Sequence, residues 1–265
     1  MRDITLGQFF PADSPLHRLD PRVKIVSLIV YIVLTFCAFN YVALGVVFFS
    51  VLLIVLLSRV PLKMYLKSLK VIIIIVIITS LLNLFYGTGE PIAEWWIFKI
   101  TLNGIRNAVF VCVRIICLIL FSSALTFTTS PTDLTDALER LMKPLNVFHI
   151  KVHEIAMMMT IALRFVPTLL EETDKIMAAQ KARGADMESG NLFKRVKALI
   201  PVLIPLFVSA FRRAYELAVA MECRCYRGGK GRTRMKQLRM VRRDYISVLF
   251  TMAIIAGVVL CDVFL

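Results

Sequence analysis

Residues 25–57 form the longest stretch of the chain without a charged side chain, and this stretch limits the possible folds more than any other feature. A single helix of this length would extend about 50 Å, whereas the hydrocarbon core of a bilayer is about 30 Å thick. Apart from a few hydroxyl groups, Asn40 is the only polar break. We therefore predict two membrane-spanning helices, near residues 23–39 and 41–58, joined by a very tight turn.

Three further apolar segments occupy residues 71–86, 108–127 and 245–263. The whole chain is 58% hydrophobic with a mean hydropathy of +0.77, well above the roughly 45–50% of soluble domains. Unpaired strand edges cannot lie in lipid, so these segments should be helical. The sequence predicts an all-α integral membrane protein with five transmembrane helices.

The charged residues are concentrated in one region. The chain has 32 Lys and Arg against 18 Asp and Glu, and residues 128–243 hold 21 of the basic and 11 of the acidic ones. Basic segments flanking membrane helices stay on the cytoplasmic side. We predict a cytoplasmic N-terminal segment (1–22), transmembrane helices 1–4 (23–127), a cytoplasmic domain (128–243) and transmembrane helix 5 (244–265).

Within residues 128–243 the pattern predicts one short and two long helices. Ser130, Pro131 and Asp133 are typical of a helix start, and Pro144 should end that short helix. The long helices should run from about 150 to 182 and from about 191 to 225. Each would extend roughly 50 Å, so we expect arms reaching from a membrane base and an L-shaped molecule.

The ends of the two long helices repeat each other. At a constant offset of 41 residues, 174–184 aligns with 215–225, and both copies end in an arginine between small residues. An arginine in the last turn is favoured by the helix dipole, so an ordinary pair of helix caps is one interpretation. The other is a docking site, because small neighbours leave each guanidinium open to a partner's carboxylate.

These residues resemble the transmembrane (T) component of energy-coupling factor (ECF) transporters, the EcfT/CbiQ-like family. The hallmark of that family is a pair of Ala-Arg-Gly-like motifs at the ends of two cytoplasmic coupling helices. AQKARGA around Arg183 fits the first motif, and Cys-Arg-Cys around Arg224 fits the second with both flanking residues replaced. Further similar blocks are SPLHRLDPRVK (14–24), LTFTTSPTDLTDAL (125–138) and LRFVP (163–167).

The resemblance implies a non-catalytic coupling subunit of an ABC importer in a prokaryotic plasma membrane. Two cytosolic ATPase subunits would bind ATP and receive the arginine motifs, and their motion would reorient a small membrane S component that releases a vitamin or similar micronutrient. No cofactor, metal or nucleic acid is expected on this chain. The implied ATPase-docking residues are Ala182, Arg183, Gly184, Cys223, Arg224 and Cys225.

A surface for the S component is predicted on the first long helix. Met157, Met158 and Met159 form a cluster of flexible side chains, and Ala178 and Ala179 are small residues that allow close approach. The methionines could equally fill the crossing between the two long helices. Nearby acidic residues, Glu171, Glu172 and Asp174, are expected on solvated helix faces.

Other residues leave a second function open. Arg114 is a charge inside a predicted span, and His149 and His153 stand four residues apart, so a self-contained permease or membrane enzyme is the alternative. The chain has no phosphate-binding loop of the form G-x4-G-K-[ST], so we do not expect ATP hydrolysis. The basic residues between Arg224 and Arg243 are expected to contact anionic membrane lipids.

Overall fold

The computed structural model describes residues 9–85, 91–95, 98–185, 192–229 and 237–264. Its helices are α1 (Pro21–Cys37), α2 (Tyr41–Leu57), α3 (Leu62–Phe85), α4 (Leu102–Thr128), α5 (Pro131–Met142), α6 (Val152–Ala182), α7 (Leu192–Cys223) and α8 (Arg242–Phe264). A 3₁₀ turn, Lys143–Phe148, follows α5. Strands β1 (Pro91–Trp95) and β2 (Phe98–Thr101) form an antiparallel hairpin between α3 and α4.

The predicted all-α architecture is confirmed, with the hairpin as an addition that the apolar pattern did not indicate. The five predicted spans correspond to α1, α2, α3, α4 and α8. The helix start at Ser130 is also confirmed, because its hydroxyl accepts a hydrogen bond from the Asp133 amide at 3.1 Å. The two long helices end within two residues of their predicted ends.

Helix α3 begins nine residues before the predicted span. Lys63, Lys67 and Lys70, which precede the predicted span, lie on its first turns. Lysine is a good helix former, and its long stem can follow the helix while its ammonium group stays in the polar zone. The side chains of Ile74 and Val71 are 65% and 75% exposed, as expected for a lipid-facing surface.

Five of the described helices are long and apolar enough to cross a membrane by length and composition. Three of them, α3, α4 and α8, coincide with predicted spans. The other two are α6 and α7, which we predict to be cytoplasmic. Helices α1 and α2 have 17 residues each, near the lower limit for a spanning helix.

The chain divides into two compact units, residues 1–141 with 236–265, and residues 142–235. The core of the first unit lies between α1, α2, α4 and α8, with the start of α3 beside it. Tyr31 stacks on Phe121 with ring centroids 4.2 Å apart, and Tyr65 meets Phe127 edge-on at 5.2 Å. Small residues such as Ala43, which is fully buried, let the helices approach closely.

Buried polar groups join the start of α1 to the start of α8. The Asp244 carboxylate accepts hydrogen bonds from the Asp20 amide at 2.8 Å and the Val241 amide at 2.7 Å. Asp20 in turn caps α1, because its side chain accepts from the Arg22 amide at 2.9 Å. Burial raises the pKa of the Asp20 carboxyl, but the hydrogen bonds from Arg22 outweigh burial, and the pKa lies below its usual value.

Lys24 ties the same region to the end of α4. Its ammonium donates to the Thr128 carbonyl at 2.8 Å and to the Thr129 hydroxyl at 3.2 Å. A cation at this position also faces the negative end of the α4 dipole. The segment at residues 14–24, one of the blocks that resemble the family, therefore holds together the start of α1, the end of α4 and the start of α8 in the first unit.

Candidate functional site

The end of α6 places Arg183 at the C-cap of the helix. Gly184 follows with a left-handed φ of +85°, its amide donates to the Lys181 carbonyl at 3.0 Å, and the Ala185 amide donates to the Gln180 carbonyl at 3.0 Å. This pair of hydrogen bonds is a Schellman motif. Because the backbone turns away after the cap, Ala182, Arg183 and Gly184 are all exposed.

The end of α7 has the same structure around Arg224. Cys225 has a left-handed φ of +54°, its amide donates to the Glu222 carbonyl at 2.8 Å, and the Tyr226 amide donates to the Met221 carbonyl at 3.0 Å. Arg224 thus occupies the C-cap, as Arg183 does. Cys223, Arg224 and Cys225 are exposed. The 41-residue repeat in the sequence is therefore also a repeat of local backbone structure.

The two caps differ in the residue that takes the left-handed conformation. A left-handed backbone costs a residue with a Cβ about 1–2 kcal/mol relative to its usual conformation, and glycine is exempt. The second cap accepts this penalty at Cys225. The geometry of Arg224 is therefore maintained against a local strain that glycine would relieve.

We expect opposite effects from exchanging the residue type at the two caps. Gly184→Ala should accelerate exchange of the Ala185 amide hydrogen about fivefold, the equivalent of about 1 kcal/mol, since a Cβ there meets open space but a strained φ. Cys225→Gly should slow exchange of the Tyr226 amide hydrogen. Hydrogen-exchange mass spectrometry measures both, and equal rates before and after either substitution would contradict the cap assignment.

Helices α6 and α7 pack against each other in antiparallel directions. Near the middle of the pair, Glu172 contacts Ser209 and Arg213, and toward the end of α6 the Gln180 side-chain amide donates to the Pro201 carbonyl at 3.4 Å. As the residue number rises on α6, that of its partner on α7 falls. The caps at Arg183 and Arg224 therefore lie at opposite ends of the helix pair.

The ion pair between Glu172 and Arg213 joins α6 to α7 near the middle of the helix pair. An Arg213 guanidinium nitrogen lies 2.8 Å from Glu172 Oε2, and the Ser209 hydroxyl donates to the other carboxylate oxygen. Residues 172 and 213 are 41 apart, so they keep the offset of the repeat and stand two residues before its first aligned positions. A contact between two equivalent positions lies on the approximate two-fold axis that relates the two helices.

Glu172 was predicted on a solvated face, and this prediction was wrong. Its side chain is 22% exposed and is held between two α7 residues. The offset that aligns the two arginine caps also aligns Glu172 with Arg213, but it aligns Glu171 with Arg212 as well, so the sequence alone does not single out Glu172. The pairing itself depends on the antiparallel register, which sequence spacing does not give.

The residues predicted to contact an S component are placed on the outside of α6. Met158 and Met159 are 59% and 41% exposed, so neither fills the crossing with α7. Ala178 and Ala179 are also exposed, whereas Met157 is half-buried. An open apolar groove of about 500 Å³ lies elsewhere on the helix pair, lined by Leu169 and by α7 side chains around Phe207, and none of the predicted contact residues lines it.

Arg114 contacts a backbone carbonyl and two aromatic rings. Its guanidinium donates to the Ala38 carbonyl at 3.0 Å, at the end of α1, and lies over the Phe110 ring with 4.8 Å between Cζ and the centroid. The Phe36 ring is 5.6 Å away on another side. Arg114 thus donates to a backbone carbonyl at the turn between α1 and α2, while its buried Nε has no hydrogen-bond partner among the described residues.

The two histidines do not share a helix face. Helix α6 begins at Val152, and His149 ends the preceding 3₁₀ turn with a left-handed φ of +61°, so their four-residue spacing does not place the two imidazoles on one helix. His153 lies in the first turn of α6. In the described part of the chain, no group of three or more His, Cys, Asp or Glu residues is arranged to hold a metal ion.

Comparison with known proteins shows the family to which the chain belongs. Residues 12–235 match the family described as CbiQ, cobalt transport protein. The chain belongs to the CbiQ family. Most of both compact units lies within the matched region, including the arginine caps and the segment at residues 14–24.

Curated relatives of this CbiQ-family chain are named energy-coupling factor transporter transmembrane protein EcfT. The protein of Clostridium kluyveri is 49% identical over 257 residues, which cover 96% of this chain and 95% of the relative. That of Ruminiclostridium cellulolyticum is 49% identical over 262 residues, covering 99% and 98%. That of Listeria innocua is 43% identical, covering 97% of each chain.

These relationships establish the chain as a T component of an ECF transporter and as a multi-pass membrane protein. Membership of a transport family also places the arginine caps on a protein that works in a complex. The caps occupy equivalent positions on two related helices, as the family resemblance of the sequence implied.

Proposed function

We propose that this chain couples two cytosolic ATPase subunits to a small substrate-binding S component for uptake of a vitamin or similar micronutrient. One ATPase receives the cap at Ala182, Arg183 and Gly184, and the other receives the cap at Cys223, Arg224 and Cys225. The chain itself carries no catalytic residues. ATP is bound by the partners, and closure of the ATPases drives the movement.

The observation that carries the proposal is the pair of matching caps at opposite ends of antiparallel helices. Two ATPase subunits that form a dimer present two equivalent grooves related by a two-fold axis. A helix pair with its own approximate two-fold axis presents two equivalent arginines to such grooves. One arginine cap alone would suit a single partner, and parallel helices would place both caps on the same side.

Each arginine is suited to this contact by its chemistry. The C-cap position leaves the guanidinium exposed beyond the last helical turn, and the flanking Ala, Gly or Cys side chains are small. A planar guanidinium can bind a carboxylate bidentately inside a groove. Because each helix is continuous over about 45 Å, movement of a groove at one end would be carried along the helix.

The S component is proposed to contact the outer face of α6. Met158 and Met159 can adapt to different surfaces, and Ala178 and Ala179 permit close helix approach. Apolar side chains on the same unit, such as Phe207 at 65% exposure, exceed what an isolated protein would leave uncovered. The strong positive charge of residues 128–243 supports a cytoplasmic location for this unit and for the N-terminus.

The alternative of a self-contained permease or enzyme loses its candidate residues. Arg114 binds a backbone carbonyl at a helix end, and His149 lies outside the helix that holds His153. Neither arrangement forms a cavity with convergent polar groups, which a transport or catalytic site needs. The T-component proposal gives the exposed caps a role in binding the ATPases, whereas the alternative gives them none.

The composition of the purified complex tests this proposal. Extraction in a mild detergent followed by native mass spectrometry should give a mass equal to one copy of this chain, two ATPase subunits and one small membrane protein. Added ATP should bind the ATPase subunits and alter the complex, and no nucleotide should be attached to this chain. Recovery of a lone chain that transports substrate in proteoliposomes would overturn the proposal.

A further inference from the structure

The first compact unit contains an apolar cavity that the coupling function does not use. The cavity has a volume of about 350 Å³ and opens where α1 and α8 begin and α2 and α4 end. Hydrocarbon side chains form most of its wall, including Leu16, Leu53, Leu57, Leu125, Ile246 and Phe250. A slot of this kind, next to lipid-facing residues such as Leu249, is suited to an acyl chain.

A second, polar cavity adjoins the first and shares Pro15 and Arg243 with it. Its volume is about 270 Å³, and its wall contains Asp13, Arg18 and Arg59. Arg18 forms a bidentate ion pair with Asp13. Arg59 and Arg243 form no ion pair with any residue that the structure describes. The wall therefore carries three guanidinium groups against the single Asp13 carboxylate, which interacts with Arg59 as well as with Arg18, so the cavity has an excess of positive charge.

The backbone at Arg59 is also unusual. Arg59 follows the end of α2 with a left-handed φ of +53°, a conformation in which glycine is preferred at helix ends. An arginine there carries backbone strain and places a cation in the wall of the polar cavity, which adjoins the apolar one. Such strain at a charged residue is found more often where the side chain has a ligand.

We propose that the two cavities together bind one anionic phospholipid. The phosphate lies between Arg59 and Arg243, and one acyl chain enters the apolar cavity. Guanidinium groups bind phosphate bidentately, and juxtamembrane basic residues attract anionic headgroups. A free phosphate ion would fill only the polar cavity, whereas a phospholipid would use both cavities, which adjoin at Pro15 and Arg243.

The proposed lipid differs from a general contact with the bilayer surface. Residues 230–236, which contain Lys230, Arg232, Arg234 and Lys236 of the predicted lipid-contacting run, lie outside the described residues. The site instead combines Arg243 at the start of α8 with Arg59, which follows α2 and is far from Arg243 in the sequence. A lipid held there would bridge the N-terminal segment, α2 and α8.

Native mass spectrometry of the full-length chain, delipidated in detergent and titrated with palmitoyl-oleoyl phosphatidylglycerol or phosphatidylcholine, tests the proposal. We expect one phosphatidylglycerol per chain with about tenfold or greater preference over phosphatidylcholine. The double variant Arg59→Gln/Arg243→Gln should lose this preference. Arg242→Gln, the matched control on the next residue, should keep it.

A cavity-filling variant tests the acyl-chain position independently. Ser247 lines the apolar cavity, so Ser247→Phe should reduce binding of both lipids about tenfold, whereas Leu249→Phe on the exposed face of α8 should not. Equal binding of the two lipids by the native chain would overturn the proposal. Displacement of the lipid by millimolar inorganic phosphate, or full binding by the double arginine variant, would also overturn it.

Discussion

Charge reversal of both cap arginines, Arg183→Glu with Arg224→Glu, is expected to abolish uptake and release both ATPases from the membrane complex. Removing one partner of a buried, hydrogen-bonded charge pair at an interface costs about 2–5 kcal/mol, so the two changes together should weaken binding at least about a thousandfold. Each single variant should weaken it at least about thirtyfold. Radiolabelled uptake and co-purification of the ATPases measure these effects.

The fold should survive these changes, because both arginines are exposed and their caps are held by backbone hydrogen bonds. Arg227→Glu is the matched control, since Arg227 is an exposed arginine three residues beyond the second cap. It should leave uptake and co-purification near the native level. Normal uptake by the double cap variant, or an equal loss with Arg227→Glu, would contradict the role of the caps.

Exchange of the charges at the helix crossing should show whether the central ion pair transmits motion. Glu172→Arg places two cations together on the two-fold axis, and Arg213→Glu places two anions there. We expect either variant to reduce uptake at least roughly threefold without loss of the ATPases. The double variant Glu172→Arg/Arg213→Glu should recover most of the loss, because the two positions are equivalent.

Glu171→Arg provides the comparison for this experiment. Glu171 is an exposed neighbour of Glu172 on α6 and forms no ion pair with a described residue. This variant should retain native uptake. If the double exchange were no better than the single variants, the pair would not act as a unit, and the crossing would have no special part in coupling.

Local sequence signals predicted much of the fold. Ser130, Pro131 and Asp133 indicated the start of α5, and Gly184 indicated the left-handed end of α6. Apolar run length gave α1, α2 and α8 within a few residues. These features depend on short-range physics, such as capping, glycine conformations and the thickness of a bilayer, which the sequence expresses directly.

Other features depend on contacts between distant segments. The left-handed backbone at Cys225 is not indicated by its residue type, because cysteine seldom takes that conformation. The hydrogen bond from the Asp20 amide to Asp244 joins residues more than 200 positions apart. The hydrogen bond from the Val241 amide to Asp244 depends on the exact start of α8. The antiparallel register of α6 and α7 likewise follows from side-chain packing along the whole interface.

The same distinction applies to the candidate site. Arg183 and Arg224 could be found from the repeat, since both copies are short and contiguous. Glu172 could not be separated from Glu171 until the helix pairing was known. Arg59 and Arg243 are 184 residues apart and share no motif, so only the folded chain brings them to one cavity.

Site-specific photo-crosslinking tests most directly whether each cap docks one ATPase. A photoreactive amino acid replaces Ala182 or Cys223, next to an intact arginine, in the assembled complex. Each position should link this chain to one ATPase subunit, and both positions together should give a product that contains two. Links to the S component, or capture of the same single ATPase by both positions, would contradict the coupling of two ATPases through the two caps.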